Sequence, residues 1–520
     1  VPQLPRGAWV NKLPGMSHLC DKVNMALAIR TLQKLWPERF SFWPRSWLLP
    51  TELEQLKRWQ GKHRGSTVIV KPADGSLGDG IFLAQSAAEL DSKLFAKPYH
   101  GEGFCALAQK YLPSPLLIGG LKFDLRLYVV VTSTDPLLAY VCREGLARFC
   151  TTAYEQPSAA NLGQAYMHLT NYSLNKRSSG FVQSTDPFAV DTLASKRPLS
   201  TLLKQIEAQE ARSGRVFDEH KFLKSCDQVV AVLLQSIAPV LNVTYARVAK
   251  EAKPKAKPRP KASARRSLIG SSLRVRRSRE DAEDDSDSGA AEAAEEDDNA
   301  DFEPKCFQMV GVDVLIDEHL QPWLLEVNSR PSMDIEEPVR WDQAPEGSRR
   351  CTCRDMDGED HVHLTSKVDL YVKSIALRGA LQLAVGGQVP KDFVELDFAE
   401  HGPSGDVDMG LGYTLQVIAR LYQVAGGAEK AFTTYGVRRA LAAAIGRAGL
   451  NPHDLDVAVK RWRHQGYRQS GDLQEDTADI GVLDFAELLM EVSMLLPGAD
   501  KPLDALSVLI DCCDPDVDND

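Results

Sequence analysis

The sequence contains no run of about 18 apolar residues, so we predict that no helix spans a membrane. Its first residues, VPQLPRGAWVNKLPG, lack the charged-then-apolar pattern of a secretory signal peptide. The 10 cysteines are scattered over 520 residues and are not packed into a short disulfide framework. This distribution favours a reducing, cytoplasmic compartment, in which most cysteines would be small buried side chains.

An excess of positive charge is also lacking. The net charge is −10, which argues against nucleic acid as a partner. With 43% hydrophobic and 25% charged residues, the chain can bury a large core and is long enough for two or three folding units. No catalytic Ser, Cys or His triad is evident, and we expect the isolated histidines to be structural or on the surface: His18, His63, His168 and His220.

The segment CFQMVGVDVLIDEHLQPWLLEVNSRPS (306–332) is the most informative part of the sequence. MVGVDVLI and PWLLEVN are short, β-rich apolar runs, and IDEHLQ between them has the length of a hairpin turn. Glu326 and Asn328 are two residues apart, so their side chains share one face of a strand. With Asp313 on the neighbouring strand, these oxygen ligands predict a Mg²⁺ site, although a merely hydrogen-bonded polar residue in a buried strand is the alternative.

A glycine-rich loop follows a β-branched strand in TVIVKPADGSLGDGI (67–81). Glycines let backbone N–H groups approach a phosphate, and Lys71 at the strand end can reach its oxygens. The loop is not a Walker A motif, because no GK[ST] follows the glycines. An ordinary β-turn would explain the loop equally well, so the phosphate interpretation depends on its neighbours.

Charged residues alternate with apolar ones in KFDLRLYV (122–129). Alternation at period two places Lys122, Asp124 and Arg126 on one face of a strand. A solvated strand face is one interpretation, but two cations flanking an anion beside an apolar run also suit a polyphosphate or a carboxylate. We expect later segments to complete this nucleotide, metal and anion site: Arg143, Arg148, Thr170, Asn171, Tyr172 and Ser173.

Charge is segregated between residues 247 and 303: a basic run, RVAKEAKPKAKPRPKASARRSLIGSSLRVRRSR, precedes the acidic run EDAEDDSDSGAAEAAEEDDNADFE. Such blocks bury too little apolar surface to fold, so we predict that 246–303 is a disordered insertion in a catalytic domain spanning 1–385. The two halves could simply neutralise each other as a solvated loop. Alternatively, the basic half could attract acidic tails or another anionic surface.

Two cysteines and two histidines lie close together in CTC (351–353) and HVH (361–363). These residue types can bind Zn²⁺, but the spacings are tighter than those of usual zinc fingers, so a plain variable loop is the alternative. The following segment, SKVDLYVKSIALRGALQLA (366–384), is typical of a helix.

After the catalytic domain, the composition predicts a linker at 386–411, a helical domain at 412–497 and a disordered acidic tail at 498–520. DTADIGVLDFAE (476–487) has an EF-hand frame, but Ala478 and Ile480 replace two ligands, so we do not expect calcium binding. A partner-binding or microtubule-docking role and a purely stabilising role for the helices both remain open.

The motifs KPADGSLGDGI, QKYL, KFDLRLYV, REGLARF, HLTNYSLNK, SKR and GVDVLI…WLLEVNSRPS occur in this order. Over about residues 8–380, the sequence thereby resembles the tubulin tyrosine ligase-like family and, within it, the polyglutamylase branch. The resemblance implies an α+β, ATP-grasp-like catalytic domain that clamps ATP between two lobes and joins an amino acid to a protein carboxylate.

Site roles follow from the resemblance position by position. It implies catalytic roles for Lys71, Arg126 and Glu326, and metal binding by Asp313, Glu326 and Asn328. The incoming glutamate would be bound by Arg148, Tyr172, Ser173 and Lys196. The implied nucleotide-binding residues are Lys71, Leu77, Gly78, Gln109, Lys110, Tyr111, Leu112, Lys122, Asp124, Thr170 and Asn171.

The resemblance further implies a monomeric enzyme that uses ATP, Mg²⁺ and free L-glutamate to modify the acidic C-terminal tails of tubulin through an acyl-phosphate. Its location would be the cytoplasm and cytoskeleton, including the cilium or basal body, with no nucleic-acid partner and no membrane span. We expect elongation of side chains, although departures at Ser76–Leu77 and Ser329–Arg330 leave initiation open. A non-catalytic microtubule-associated scaffold and a ligase for glycine or another amino acid are the alternatives.

Overall fold

The computed structural model describes residues 8–73, 75, 78–94, 104–252, 305–351, 353, 360–386, 388–398, 411–424, 434–469, 482–496 and 502–513. Its strands are β1 (Trp9–Asn11), β2 (Ser46–Leu49), β3 (Val68–Pro72), β4 (Phe82–Ala84), β5 (Ala106–Lys110), β6 (Leu117–Ile118), β7 (Leu121–Thr134), β8 (Leu137–Cys142), β9 (Leu146–Phe149), β10 (Lys196–Pro198), β11 (Lys305–Ile316), β12 (Pro322–Asn328), β13 (Glu336–Arg340), β14 (His361–Thr365) and β15 (Phe393–Glu395).

The helices are α1 (Met16–Leu19), α2 (Lys22–Leu35), α3 (Leu53–Lys62), α4 (Ala87–Leu94), α5 (Ala165–His168), α6 (Tyr172–Asn175), α7 (Leu199–Arg212), α8 (Glu219–Ala252), α9 (Lys367–Val385), α10 (Leu411–Val424), α11 (Thr434–Ala440), α12 (Ala442–Arg447), α13 (Pro452–Gln469), α14 (Val482–Ser493) and α15 (Pro502–Cys513). A short 3₁₀ turn covers Trp341–Gln343. The fold class is therefore mixed α+β, as the sequence predicts.

A nine-stranded sheet forms the larger layer, with β11 and β7 side by side at its centre. β11 is a long apolar run, and it is buried from Phe307 to Ile316 because α8 packs on one face of the sheet and α9 on the other. The predicted hairpin is confirmed, since β11 and β12 pair in antiparallel fashion with Asp313 opposite Glu326. On its other side, β11 pairs with β7 and places Asp313 opposite Arg126.

A four-stranded sheet in the order β2-β5-β3-β4 forms the second lobe. Its own core packs Trp47 and Trp59 with their ring centroids 4.9 Å apart, beneath the apolar faces of β3 and β5. Lys71 and Gln109 lie on these strands. The two sheets thus bring Lys71 on β3 and the β11–β12 hairpin from separate layers toward one region.

Helix α8 is the long helix that covers the larger sheet. Its portion Glu219–Tyr245 is long and apolar enough to cross a membrane, but 67% of its most apolar window is buried within the protein. This burial is that of a core helix, so its length and composition are weak evidence for a membrane span. The helix continues to Ala252, so the prediction that the insertion begins at 246 was wrong; residues 253–303 lie outside the described residues.

The predicted linker at 386–411 contains a strand, which corrects that assignment. Phe393–Glu395 adds to the large sheet as β15 beside β8. Phe393 packs on α9 where Gly379 leaves room, because a Cβ at Gly379 would lie 1.9 Å from the Phe393 ring. The segment is therefore partly integrated into the catalytic fold.

The helices expected after residue 412 are present in the described part of the chain. Their buried side chains, such as Ile418 and Leu489, belong to the same apolar cluster as Leu32 of α2 and Leu234 of α8. The predicted acidic tail at 498–520 was wrong for α15, whose Leu506 is fully buried. Apolar side chains at helical spacing within that acidic segment explain the difference. The first six positions of the EF-hand frame lie outside the described residues.

Candidate active site

Three predicted metal ligands converge at the base of the β11–β12 hairpin. The amide nitrogen of Asn328 lies 3.4 Å from Asp313 Oδ2 and 3.3 Å from Glu326 Oε1. A half-turn of this amide would place its oxygen beside the two carboxylates instead. Two carboxylates that lie 3.3–3.4 Å from one amide supply hard oxygen donors, so the residues present fit Mg²⁺.

Asp313 is also the centre of a buried charge network. Arg126 donates two hydrogen bonds to its carboxylate, the Nη2–Oδ2 bond being 2.8 Å long, and Arg148 Nη2 lies 2.8 Å from the same oxygen. Burial opposes ionisation, but the two guanidinium groups outweigh it and hold the pKa of Asp313 well below its usual range. The carboxylate is therefore permanently charged and correctly oriented at neutral pH.

Gly311 makes this network possible. A Cβ at Gly311 would lie 2.8 Å from Arg126 Cδ and 3.0 Å from Pro331 Cβ, so the Arg126 side chain crosses the strand where β11 has no side chain. No sequence pattern predicts this role, because a glycine within an apolar strand has several explanations.

Asp124 extends the network along β7. Arg148 binds its carboxylate through two hydrogen bonds of 2.7 and 2.6 Å, and the Thr170 hydroxyl donates a third of 2.7 Å. Asp124 and Arg148 are directly paired across β7 and β9. The structure thus brings together the predicted residues Asp124, Arg126, Arg148, Thr170 and Asp313, which come from distant segments.

Lys71 lies on β3 and donates a 2.8 Å hydrogen bond to Gln109 Oε1 on β5. Burial lowers its pKa to about 8, with Glu326 opposing the shift and Lys22 and Lys122 adding to it. The buried Gln109 Nε2 has no hydrogen-bond partner within the described residues. A lysine of lowered pKa beside an unpaired amide donor is a suitable place for an anionic or hydrogen-bonding ligand.

Lys122 is enclosed by Tyr111 and His168. Its ammonium group donates to the Tyr111 hydroxyl and to the His168 carbonyl, each at 2.9 Å, and lies 4.4 Å from the Tyr111 ring centroid. Burial lowers the pKa of Lys122. Burial and Lys122 also lower the pKa of His168 to about 4, so this histidine is neutral and structural, as predicted.

The glycine-rich loop lies beside Asn171, one of the predicted nucleotide-binding residues. Gly78 has φ of 92°, and a Cβ there would lie 3.4 Å from the Asn171 side chain. Lys22, which the sequence reasoning missed, donates a 2.5 Å hydrogen bond to the Gly75 carbonyl. Leu77 lies outside the described residues. Lys22, the first residue of α2, therefore holds the loop at Gly75.

Lys196 is buried in a second ion network, close to Arg148 in the sheet register. Its ammonium group lies 2.5 Å from both Glu337 Oε1 and Asp369 Oδ2, and 3.6 Å from the Tyr172 ring centroid. Burial opposes ionisation of Asp369, but Lys196 and Lys373 lower its pKa to about 2. Sequence patterns did not predict the roles of Glu337 and Asp369, because these residues follow the β11–β12 hairpin and belong to no recognisable motif.

The remaining predicted residues occupy the rim of this region or lie elsewhere. Lys110 is exposed, whereas Leu112 and Ser173 are half-buried. Arg143 was wrongly expected in the site: it binds Asp227 of α8 through two hydrogen bonds of 2.8 and 2.6 Å and thus ties a sheet turn to the covering helix.

The described region therefore combines hard oxygen ligands, two buried lysines of lowered pKa and two paired arginines. Such a set can neutralise the phosphates of a metal–nucleotide complex and the charge that develops during phosphoryl transfer. It contains no side chain placed as a nucleophile beside a general base among the described residues. Chemistry here would depend on positioning and electrostatics.

The sequence matches a family model and several curated proteins. A family model described as "Tubulin-tyrosine ligase family" matches residues 4–208 and 283–346, together just over half of the chain. The chain is 34% identical to tubulin polyglutamylase TTLL11 of Homo sapiens, over 63% of this chain and 38% of the relative. It is 34% identical to tubulin polyglutamylase TTLL6 of Mus musculus, over 63% and 31% respectively.

A third relative, tubulin polyglutamylase ttll-11 of Caenorhabditis elegans, is 32% identical over 72% of this chain and 43% of its own length. The chain thus spans less than half of the length of these curated relatives.

Proposed function

Because the chain belongs to the tubulin-tyrosine ligase family, we propose that it is an ATP-dependent ligase that adds glutamate to the acidic C-terminal tails of tubulin. The observation that carries this proposal is that Asp313 and Glu326 lie 3.4 and 3.3 Å from the Asn328 amide on one hairpin, with Lys71 electrostatically coupled to Glu326 and Asp313 from the other lobe. The three relatives compared above are named tubulin polyglutamylases.

ATP would lie between the two lobes. Lys71, Lys122 and the loop at Gly78 would contact its phosphates, while Gln109 and the segment from Lys110 to Leu112 would meet the adenine. Support comes from the unpaired amide nitrogen of Gln109 and from the lowered pKa of both lysines, since a bound polyphosphate would favour their charged forms. Asp124, Thr170 and Asn171 would complete the pocket on the sugar and phosphate side.

Mg²⁺ would be held by Asp313, Glu326 and Asn328, where it would neutralise phosphate charge. Arg126 and Arg148 already keep Asp313 ionised and oriented. Because the two arginines already occupy both oxygens of Asp313, Mg²⁺ would share this carboxylate with them.

The reaction would proceed in two steps. A carboxylate oxygen of the acceptor attacks the γ-phosphorus of ATP, the bond to the bridging oxygen breaks, and ADP leaves with the bond's electron pair. The amine of glutamate then attacks the carbon of the resulting acyl-phosphate, loses a proton, and displaces inorganic phosphate. Arg126 would stabilise the phosphorylated acceptor, and holding both reactants together would supply much of the rate enhancement.

Free glutamate would bind beside β9 and β10, near Arg148, Tyr172, Ser173 and Lys196. The pairing of Arg148 with Lys196 in the sheet register places both cations in the same region. Lys196 already has two carboxylate partners, so a substrate carboxylate would compete with Glu337 and Asp369 for it. Because glycine has no side-chain carboxylate, a pocket in which the glutamate side chain displaced one of these partners would favour glutamate over glycine.

We further propose that the protein acts as a monomer and that it elongates existing glutamate chains. It would do so in the cytoplasm on the microtubule cytoskeleton, including the cilium or basal body. The basic run at 247–279 would help to attract acidic tails. A scaffold without catalysis is the competing function, and the experiment below separates the two.

The protein would be incubated with ATP, Mg²⁺ and polymerised tubulin, together with glutamate, glycine or tyrosine in separate reactions. Mass spectrometry of the tubulin tails would then identify the donor and the acceptor. We expect glutamate additions that require ATP and disappear in Glu326→Gln and on tubulin whose tails were removed by proteolysis. Binding of tubulin with no mass change under any donor would contradict the proposal and favour the scaffold.

A further inference from the structure

Four side chains outside the proposed active site converge beside the β13–β14 hairpin. All of their ligand atoms, one per residue, lie within 4.8 Å of one another. We call them the Cys/His cluster, which consists of Cys351, Cys353, His361 and His363. The CTC and HVH motifs, whose ligands are more closely spaced in sequence than those of usual zinc fingers, thus form one group of four ligands in space.

Strand pairing explains how the cluster forms. Cys351 and His361 exchange backbone hydrogen bonds of 2.7 and 3.1 Å, so the cysteine motif adds directly to the start of β14. His361 and His363 are two residues apart on this strand and therefore share a face. The backbone thus brings both motifs to one side of the hairpin.

The three distances among Cys353, His361 and His363 are close to those of a tetrahedral metal site. Cys353 Sγ lies 3.2 Å from Nε2 of both His361 and His363, and the two Nε2 atoms are 3.2 Å apart. A tetrahedral Zn²⁺ has N···N edges of about 3.4 Å and N···S edges of about 3.6 Å, from Zn–N and Zn–S bonds of about 2.05 and 2.3 Å. The observed distances agree with these edges to within a few tenths of an ångström.

We propose that the Cys/His cluster binds one structural Zn²⁺. Two thiolates and two imidazoles are the ligand set that zinc prefers at closed, four-coordinate sites. Because the protein supplies all four ligands, no position is left for water or substrate, and the metal has a structural role.

The surroundings of the cluster indicate what the zinc stabilises. Arg350 binds Asp360 at 2.7 Å and lies 4.4 Å from the Trp341 ring centroid, so the segments entering and leaving the cluster are already held together. His363 is paired with Pro338 on β13, next to Glu337, which binds Lys196. Zinc would thus fix the strand that holds this lysine in place, outside the metal–nucleotide site.

The direct test is the zinc content of the purified full chain, prepared under reducing conditions without added metal and measured by inductively coupled plasma mass spectrometry. We expect about one zinc per chain. Cys353→Ser and His363→Ala, purified and measured in the same way, should each lower this at least tenfold. The matched controls Cys306→Ser and His319→Ala, at a half-buried cysteine and an exposed histidine elsewhere, should retain it.

A second measurement uses only the wild-type protein, so a folding defect in a variant cannot affect it. Wild-type protein stripped by a chelator and titrated with Co²⁺ should show tetrahedral absorption bands in the visible and a thiolate charge-transfer band in the near ultraviolet, saturating at about one equivalent. Hydrogen exchange at 336–340 and 361–365 should rise on stripping and return with Zn²⁺.

Zinc at background level in the wild type together with no tetrahedral cobalt spectrum would overturn the proposal. So would zinc that is retained in both cluster variants, or a Cys351–Cys353 disulfide in the reduced preparation. None of these readouts depends on ligase activity, so the result stands apart from the proposed function.

Discussion

Arg126 and Asp313 lie directly opposite each other on β7 and β11 and are joined by two hydrogen bonds, although 187 residues separate them in the chain. The residue proposed to stabilise the phosphorylated acceptor therefore also orients a proposed metal ligand. This arrangement would link metal binding and phosphoryl transfer in one buried unit.

Glu326→Gln should abolish ligase activity and leave the fold intact. The substitution removes the charge of one proposed metal ligand at a half-buried position while conserving its shape. We expect a loss of about 10²-fold or more in kcat/KM and a change in the free energy of unfolding within about 1 kcal/mol. Glu318→Gln, at an exposed position in the same hairpin turn, is the control and should retain activity. Equal activity in both variants would remove Glu326 from the site.

Asp313→Ala should destabilise the protein as well as inactivate it. Removing this carboxylate leaves Arg126 and Arg148 as buried charges with one fewer partner, which costs about 3–5 kcal/mol in the free energy of unfolding. Urea denaturation measures the change. Asp342→Ala, which breaks an exposed ion pair with Arg340, should cost less than about 1 kcal/mol. Similar costs for the two variants would show that the buried network contributes little to stability.

Gly311→Ala should impair catalysis by displacing Arg126. The added Cβ would lie 2.8 Å from Arg126 Cδ, so the arginine must move away from Asp313. We expect kcat to fall at least tenfold and the free energy of unfolding to fall by about 1–3 kcal/mol. Gly61→Ala is the control, because a Cβ there meets nothing within 4 Å and the residue lies in α3. Wild-type kcat in Gly311→Ala would show that the position of Arg126 is unimportant.

ATP binding should weaken as the pH rises through about 8. In the free protein burial lowers the pKa of Lys71 to about 8, and phosphates would raise it again, so binding above that pH takes up a proton. Lys122, whose pKa is also lowered, acts in the same direction. Calorimetry at pH 9 in two buffers of different ionisation enthalpy should detect this uptake, and at pH 6.5 it should be close to zero. Lys71→Arg should reduce the uptake at pH 9, and unchanged uptake in this variant would exclude Lys71 as its source.

Lys196→Ala should lower the preference for glutamate over glycine. If Lys196 contacts the substrate carboxylate, the ratio of kcat/KM for the two donors should fall about tenfold or more. A ratio is insensitive to the fraction of folded protein, which matters because the substitution leaves Glu337 and Asp369 buried. Lys373→Ala disturbs the same network through Asp369 and should leave the ratio unchanged. An unchanged ratio in Lys196→Ala would refute the assignment.

Local sequence patterns predicted much of the architecture near the site. Alternation at period two placed Lys122, Asp124 and Arg126 on one strand, and two apolar runs around a short turn predicted the β11–β12 hairpin. Composition was less informative at the C-terminal end. There the acidic composition of 498–520 predicted a disordered tail, although its apolar residues have the helical spacing of α15. Likewise, the Gly-rich composition of 386–411 predicted a linker, although this segment contains β15.

The sequence by itself therefore determined the elements and the residue types of the site, because strand and helix periodicities are local properties of the chain. Tertiary structure alone decided which charges became partners: Arg126 with Asp313, Lys196 with Glu337, and two cysteines with two histidines. These pairings depend on strand register, which is fixed by the fit of apolar side chains throughout the core. A single motif cannot specify that register, since a slip of one residue would turn every side chain to the opposite face.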